Sequence, residues 1–396
     1  MSYIQLDENN IGEFLVNAKC FNTDDKLEVL EISDGNINMV YRIVGEEKSL
    51  ILKQAYPYVR VAGESWPLSL ERAIHESDAL SLQNKHAPGL VPEIIHRDDE
   101  MAVIVMEDLS YLEIMRKEMN AMKKFPEFPE HISTFLANQT FYTSDMYLSG
   151  EDKKNMVAQF INSDLCKITE DLIFTDPYCN AEKNIINPEL KKYLETVFWE
   201  KENLRIEAAK LKYKFLTEAQ SLLHGDLHTG SIFIDEKETK VFDTEFAFAG
   251  PSGFDIGLLT GNLLINYFSW NGRNVDLTAK IDYQTYILEM INELYGKFIE
   301  KFSCNWNNDI KDSSYMISGY KEYYMQNLFI DSIGFAAAAM IRRMHGFAHN
   351  IDVDMIDDLE KRRDVQIQVL EMGEKLMINR SKYNNIQEVT DFVSKS

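Results

Sequence analysis

At about Tyr111 the apolar residues of this chain change their period, and that switch limits the folds open to it. Before it, apolar and polar positions alternate along short runs: KLEVLEI (26–32), MVYRIV (39–44), SLILKQA (49–55), VPEIIHRD (91–98) and MAVIVMED (101–108). Alternation of period two marks strands with one face on a core, and the breaks SDGN (33–36) and GEEK (45–48) mark the turns between them. Apolar spacing at Ile4, Ile11, Phe14, Leu15 and Ala18 predicts a helical segment ahead of the strands, and Leu68 to Gln83 predicts a helix among them. After Tyr111 the pattern is that of long amphipathic helices, over 133–148, 151–172, 189–201, 201–222, 255–268, 277–301, 315–346 and 354–378. The expected architecture is α+β and bilobal. A small N-terminal lobe (1–109) carries a five-stranded antiparallel sheet and one packed helix, and a larger, mostly helical lobe (110–396) follows. A chain of 396 residues exceeds what one compact core usually holds, which also favours two lobes.

One stretch interrupts the helical body. Leu223 to Phe248 reads LHGDLHTGSIFIDEKETKVFDTEFAF: an acidic residue on a loop (Asp226), then a ribbon of Ser231 to Asp235 and Lys240 to Thr244, then Asp243 and Glu245 at its end. Each carboxylate alone is commonplace, because acidic residues populate turns and strand ends. Together they suit phosphoryl transfer from a metal nucleotide. A loop carboxylate orients a hydroxyl nucleophile and accepts its proton, while a second pair holds the metal that bridges the phosphates. His224 and His228 read better as residues that shape the loop by hydrogen bonds than as bases or ligands. Asp255 is expected to steady that loop or cap the next helix.

The small lobe supplies matching parts. Asp34, Gly35 and Asn36 fall between two strands, where backbone N–H groups and the Asn36 amide could approach phosphates; a plain tight turn looks the same. Lys53 lies within an apolar strand, placed either to reach phosphates or to face solvent. Glu71 and Glu76 are candidate partners for it, and the deeper Glu76 is favoured. Glu107, Asp108 and Leu109 end the last strand where sheet gives way to helices, a place for an adenine ring. The long segment YPYVRVAGESWPLS (56–69) either closes over the nucleotide or pins itself down by burying Trp66.

A net charge of −23 excludes nucleic acid and anionic membrane as principal partners. The N-terminal MSYIQLDENNIGEFL has no basic region followed by an apolar run, and the apolar IGFAAAAMI (333–341) is too short to span a bilayer. Four cysteines without metal-ligand spacing fit a reduced cytoplasmic setting.

The order of these motifs resembles the aminoglycoside phosphotransferase and choline kinase branch of the protein-kinase-like fold. More closely, DGNINMVYRI, GESWP, RAIHES, MEDL, HGDLHTGSIFI, FDTEFAF and IRRMHG together resemble the 5-methylthioribose kinases, over about residues 27 to 370. That resemblance implies ATP-dependent phosphorylation of the 1-hydroxyl of 5-methylthioribose, with Mg2+ as cofactor and a homodimeric assembly. It implies Asp226 as the catalytic carboxylate beside the sugar, and Asp243 and Glu245 as metal ligands. Asn36, Lys53, Glu107, Asp108, Leu109, Asp243, Thr244 and Glu245 become nucleotide contacts, and Arg342 and Arg343 join Asp226 at the substrate. Ser231 stands where the wider branch has a metal-binding asparagine, which leaves a second metal site open. Neighbouring arginines point about 100° apart on a helix, so both serve one pocket only where the helix ends or lies edge-on. The walls of a thioether pocket are expected from helices after Asp255. The competing readings are another kinase of the same fold, acting on an aminoglycoside, choline or homoserine, and an inactive nucleotide-binding scaffold.

Overall fold

The computed structural model describes residues 3–32, 38–58, 65 and 67–395. The Asp34–Asn36 turn and Trp66 therefore lie outside the described residues. A short helix α1 (Ile11–Asn17) precedes β1 (Glu28–Glu31), β2 (Asn38–Val44) and β3 (Ser49–Ala55); helix α2 (Glu71–His86) then leads to β4 (Ile94–Asp98) and β5 (Val103–Glu107). These five strands form one antiparallel sheet in the order β1-β2-β3-β5-β4. Period two decides which side chains meet what. Met39, Tyr41, Ile43, Leu50, Leu52, Val103 and Val105 point to the side of α1 and pack there with Ile11, Leu15 and Phe21. The intervening Asn38, Val40, Ile51, Lys53 and Met106 face the opposite way, into a cleft.

Helices dominate thereafter. They are α3 (Met115–Asn120), α4 (Phe128–Tyr142), α5 (Gly150–Gln159), α6 (Ser163–Phe174), α7 (Pro188–Tyr193) and α8 (Glu202–Thr217). After the catalytic-looking segment come α9 (Phe254–Ser269), α10 (Leu277–Asp309), α11 (Tyr320–His345), α12 (Ile351–Asp354), α13 (Leu359–Asn379) and α14 (Ile386–Ser394). The core of this lobe is the contact of α9 with α11. The fully buried run Ala336 to Ala339 brings the two backbones close, and Phe254 meets Phe335 edge to face at 5.1 Å. Among the described residues no helix is long and apolar enough to cross a membrane.

Several expected boundaries move, each for a visible reason. The segment 151–172 is two helices, because the Asn162 amide at the break donates to the carbonyls of Glu245 (2.7 Å) and Ala247 (3.2 Å). The helix expected over 201–222 stops at Thr217. Ser221–Leu223 is instead strand β7, paired with β10 (Phe248–Gly250). The ribbon is shorter than its sequence suggests, with β8 over Ile232–Ile234 and β9 over Thr239–Val241. The Asp235 carboxylate accepts from the N–H groups of Lys237 and Glu238 (both 2.7 Å) and turns the chain, while Asp243 at φ 65° ends the second strand. A two-residue strand β6 (Glu113–Ile114) also joins β8, so the ribbon is not the lobe's only β structure. The helix at 315–346 begins only at Tyr320, after a left-handed Gly319, and α14 was not foreseen at all.

Candidate active site

The loop after β7 is built around a buried carboxylate. Asp255, in the first turn of α9, accepts from the N–H of His224 (2.7 Å) and of Gly225 (3.0 Å), fixing the start of HGDLH to the large-lobe core. His224 spans the loop: its Nε2 donates to the Phe242 carbonyl at 2.9 Å, and its Nδ1 faces the Asp226 N–H at 3.3 Å. Gly225 makes the sharp turn at φ +86°, and a Cβ there would lie 2.1 Å from the Phe246 carbonyl oxygen. Ser231 sits beneath, its hydroxyl donating to the Asp226 carbonyl at 2.8 Å. That side chain is buried and turned away from the cleft.

Asp226 thereby projects into a cleft of about 770 Å³ between the lobes. Arg342 and Arg343 approach the same carboxylate oxygen, Oδ1, at 3.8 and 3.9 Å, and His228 Nε2 lies 3.4 Å from Oδ2. The two arginines reach one group because α11 ends two residues later, at His345. The His228 Nδ1 accepts from the Gly230 N–H at 2.9 Å, so its proton is on Nε2, directed at Asp226. Burial pushes the Asp226 carboxyl upward, but the neighbouring imidazole and both guanidinium groups prevail and hold it well below the usual carboxylate range. It is charged at any physiological pH.

His228 and His345 both feel burial most strongly and are pushed down to about 4. His345 is fully buried, with Nε2 donating to the Pro177 carbonyl at 2.7 Å. A histidine whose folded pKa lies below its unfolded value of about 6.5 leaves the unfolded chain binding more protons between the two. Stability is therefore expected to be full above pH 6.5 and to fall as pH drops towards 4, by up to about 3 kcal/mol for His345. Urea unfolding midpoints at pH 7 and pH 4.5 measure this; a His345→Gln variant that loses as much as the parent on acidification would argue against it.

On the other side of the cleft Lys53 donates to Glu76 at 2.8 Å and to Asp243 at 2.5 Å. Burial lowers the lysine pKa, yet the three carboxylates of Asp243, Glu76 and Glu245 overcome it, so the ammonium is retained. Asp243 has the left-handed backbone noted above, which lifts its carboxylate off the strand into the open cleft, 47% exposed. Glu245 is almost wholly buried: Asn38 donates to its Oε2 at 2.6 Å, and Arg72 lies 3.9 Å away. Arg72 Nη2 also donates to the side-chain Oδ1 of Asn38 at 3.1 Å, so one side chain from β2 and one from α2 hold a carboxylate of the large lobe. Neither residue was singled out from sequence. Arg72 lies between Glu71 and Glu76, the two residues of that helix with a readable role as partners for Lys53, and Asn38 carried no signal of its own.

The remaining predicted residues fall in different places. Glu107, Asp108 and Leu109 line the cleft where the lobes join, beside Met106, Phe233 and Phe242. The Asp108 carboxylate is taken up by Arg42 (2.7 Å) and Ser49 (2.5 Å). Thr244 is fully buried, and its hydroxyl accepts from Gln83 at 3.1 Å, away from the cleft. The wall beyond Asp226 is apolar: Ile168, Leu172 and Ile173 of α6, with Phe246, Phe347 and Ala348. Four of these six residues precede Asp255 in sequence.

A lysine–glutamate pair under a small antiparallel sheet faces a loop aspartate and a carboxylate pair on a helical lobe, an arrangement suited to phosphoryl transfer. No protein-family model matches the chain. It is 41% identical over 389 residues to a Methylthioribose kinase from Geobacillus sp. (strain WCH70), covering 98% of this chain and 95% of the relative. A Methylthioribose kinase from Bacillus cereus (strain AH820) is 41% identical over 387 residues, covering 98% and 96%. The chain belongs to the methylthioribose kinase family. Among solved structures, an ethanolamine kinase from Plasmodium vivax aligns over 98% of this chain and 92% of its own at 11% identity, with a TM-score of 0.48. A spectinomycin phosphotransferase aligns over 99% and 100% at 10% identity, with a TM-score of 0.43.

Proposed function

We infer that this chain transfers the γ-phosphoryl group of ATP to the 1-hydroxyl of 5-methylthioribose, giving 5-methylthioribose 1-phosphate in methionine salvage. Near-full-length identity of 41% to relatives of that name carries the reading. The site gives it a mechanism. The charged Asp226 orients the attacking hydroxyl and takes its proton as the new O–P bond forms and the bond to the ADP oxygen breaks. His228, neutral and donating from Nε2, holds that carboxylate without competing for the proton. Arg342 and Arg343 steady the charge arriving on the sugar.

Lys53, Glu107, Asp108 and Leu109 serve the nucleotide in this reading, as does Asn36; Thr244, fully buried and outside the cleft lining, does not reach it and instead packs the segment through Gln83. The residues also fit Mg2+. Asp243 and Glu245 offer hard oxygen donors, and among the described residues no cluster of three His, Cys, Asp or Glu side chains gathers to hold a metal by itself. That matches an ion taken up by one or two carboxylates together with substrate phosphates. When bound, it supplies neutralisation of charge on the phosphates. Ser231, occupied with the Asp226 carbonyl, does not contribute. The reading also divides the chain near Leu109 into a nucleotide-clamping lobe and a catalytic lobe, and places it in the cytoplasm as a homodimer.

A coupled assay for ADP tests the reaction: release should depend on 5-methylthioribose, and equal turnover with choline or an aminoglycoside would refute the substrate. The apolar wall of α6 is assigned to the methylthio group. Leu172→Ala is expected to raise the KM for 5-methylthioribose by about tenfold, with kcat and the KM for ATP little changed, since the lost contact is an apolar one. A KM that does not move would place the thioether elsewhere.

A further inference from the structure

Behind the acceptor site lies an arginine that neither the motifs nor the proposed reaction uses. Arg116, at the start of α3, is tied to the turn that follows Asp226: its N–H donates to the Thr229 carbonyl at 2.9 Å, and its Nε to the Thr229 hydroxyl at 3.1 Å. Its Nη2 donates to the Asn262 side chain of α9 at 3.1 Å. Gly230 leaves the room for this: a Cβ there would stand 2.8 Å from the His228 ring and 3.1 Å from Arg116 Nη1. The guanidinium therefore passes beside the imidazole that faces Asp226.

On the far side is Asp352, in α12 and fully buried. Asn120 donates to its Oδ1 at 2.8 Å, and Arg273 donates to its backbone carbonyl at 2.7 Å. Asn350 caps α12 by accepting from the Asp352 N–H at 2.9 Å and also contacts Asn262, closing the network onto the partner of Arg116. Arg116 and Asp352 attract one another, and the field of Arg116 is felt at Asp226, His228, Arg342 and Arg343 alike. With His228 neutral, the carboxylates that act on Arg116, Arg273, Arg342 and Arg343 among the described residues are chiefly Asp226 and Asp352. This locus has an excess of positive charge in a chain whose net charge is −23.

We propose that Arg116, backed by Asp352, is a positioning residue that makes the space beside Asp226, Arg342 and Arg343 an anion site for the phosphoryl group as it arrives on the sugar. The inference rests on the sugar kinase reading, but its test does not require turnover. The probe is inorganic phosphate, titrated calorimetrically into the full chain saturated with ADP so that nucleotide phosphate positions are filled.

Arg116→Gln removes a positive charge and should weaken phosphate binding by about tenfold, whereas Asp352→Asn removes a negative charge and should tighten it severalfold. A merely structural role would loosen both variants, and the opposite signs separate the two cases. Arg116→Lys keeps the charge but loses the fork to Thr229 and Asn262. It should retain most of the phosphate affinity while kcat falls, and it carries the test if the glutamine variant fails to fold. Equal phosphate affinity across the parent and variants, or weakening in both Arg116→Gln and Asp352→Asn, overturns the proposal. Absence of sugar-dependent turnover in the parent, with opposite shifts intact, would instead overturn the assigned substrate.

Discussion

Asp226→Asn should lower kcat by about three orders of magnitude while the KM for ATP stays within about twofold. The asparagine fills the same space beside Arg342 and Arg343, so the loop and the cleft survive, but it cannot take the hydroxyl proton. It also removes the one negative charge that faces both guanidinium groups and the His228 Nε2–H. Lys53 and Asp243, the residues assigned to the nucleotide, keep their ion pair across the cleft. Steady-state kinetics with each substrate varied in turn reads the split. Turnover near that of the parent would dismiss Asp226 as the proton acceptor, and a large rise in the KM for ATP alone would make it a nucleotide residue.

Gly225→Ala should cost more in stability than any other single methyl group added to this loop. Two independent penalties act. The backbone sits at φ +86°, which a side chain disfavours, and the new Cβ would meet the Phe246 carbonyl oxygen at 2.1 Å, a backbone atom that has no rotamer to escape into. To relieve the clash, either the loop lifts from Asp255 or the Asp243–Phe246 segment shifts, and each movement also pulls apart the carboxylates assigned to catalysis. An unfolding free energy lower by about 3 kcal/mol or more is expected, together with loss of activity. Chemical denaturation compared with the parent would settle it; a variant as stable and as active as the parent would mean that the turn is not held as described.

Legibility from sequence followed the range of the interactions. The five strands of the sheet could be read because period two is local, and Lys53 fell in the correct strand for the same reason. The acidic segment announced itself because Asp226, Asp243 and Glu245 lie within 20 residues of one another. Asn38 and Arg72 were invisible because their function depends on a carboxylate about 170 to 200 residues away. The break between α5 and α6 was missed because helical periodicity continues through Phe160. What stops the helix there is a pair of carbonyls supplied by a distant segment. The short strand β7 reads as the end of a neighbouring helix, since its three residues, Ser221, Leu222 and Leu223, are too few to show a period of their own.

Asn162 has a bearing on how such a protein can change over time. It joins the first turn of α6, which bears the wall assigned to the sugar's tail, to the backbone of Glu245 and Ala247, beside the carboxylates assigned to the nucleotide. A lineage that altered α6 to admit a bulkier tail would strain the nucleotide side through that one amide. Acceptor preference in this scaffold is therefore not a separable module. Substitutions on α6 and on the 243–247 segment are expected to be inherited as matched sets.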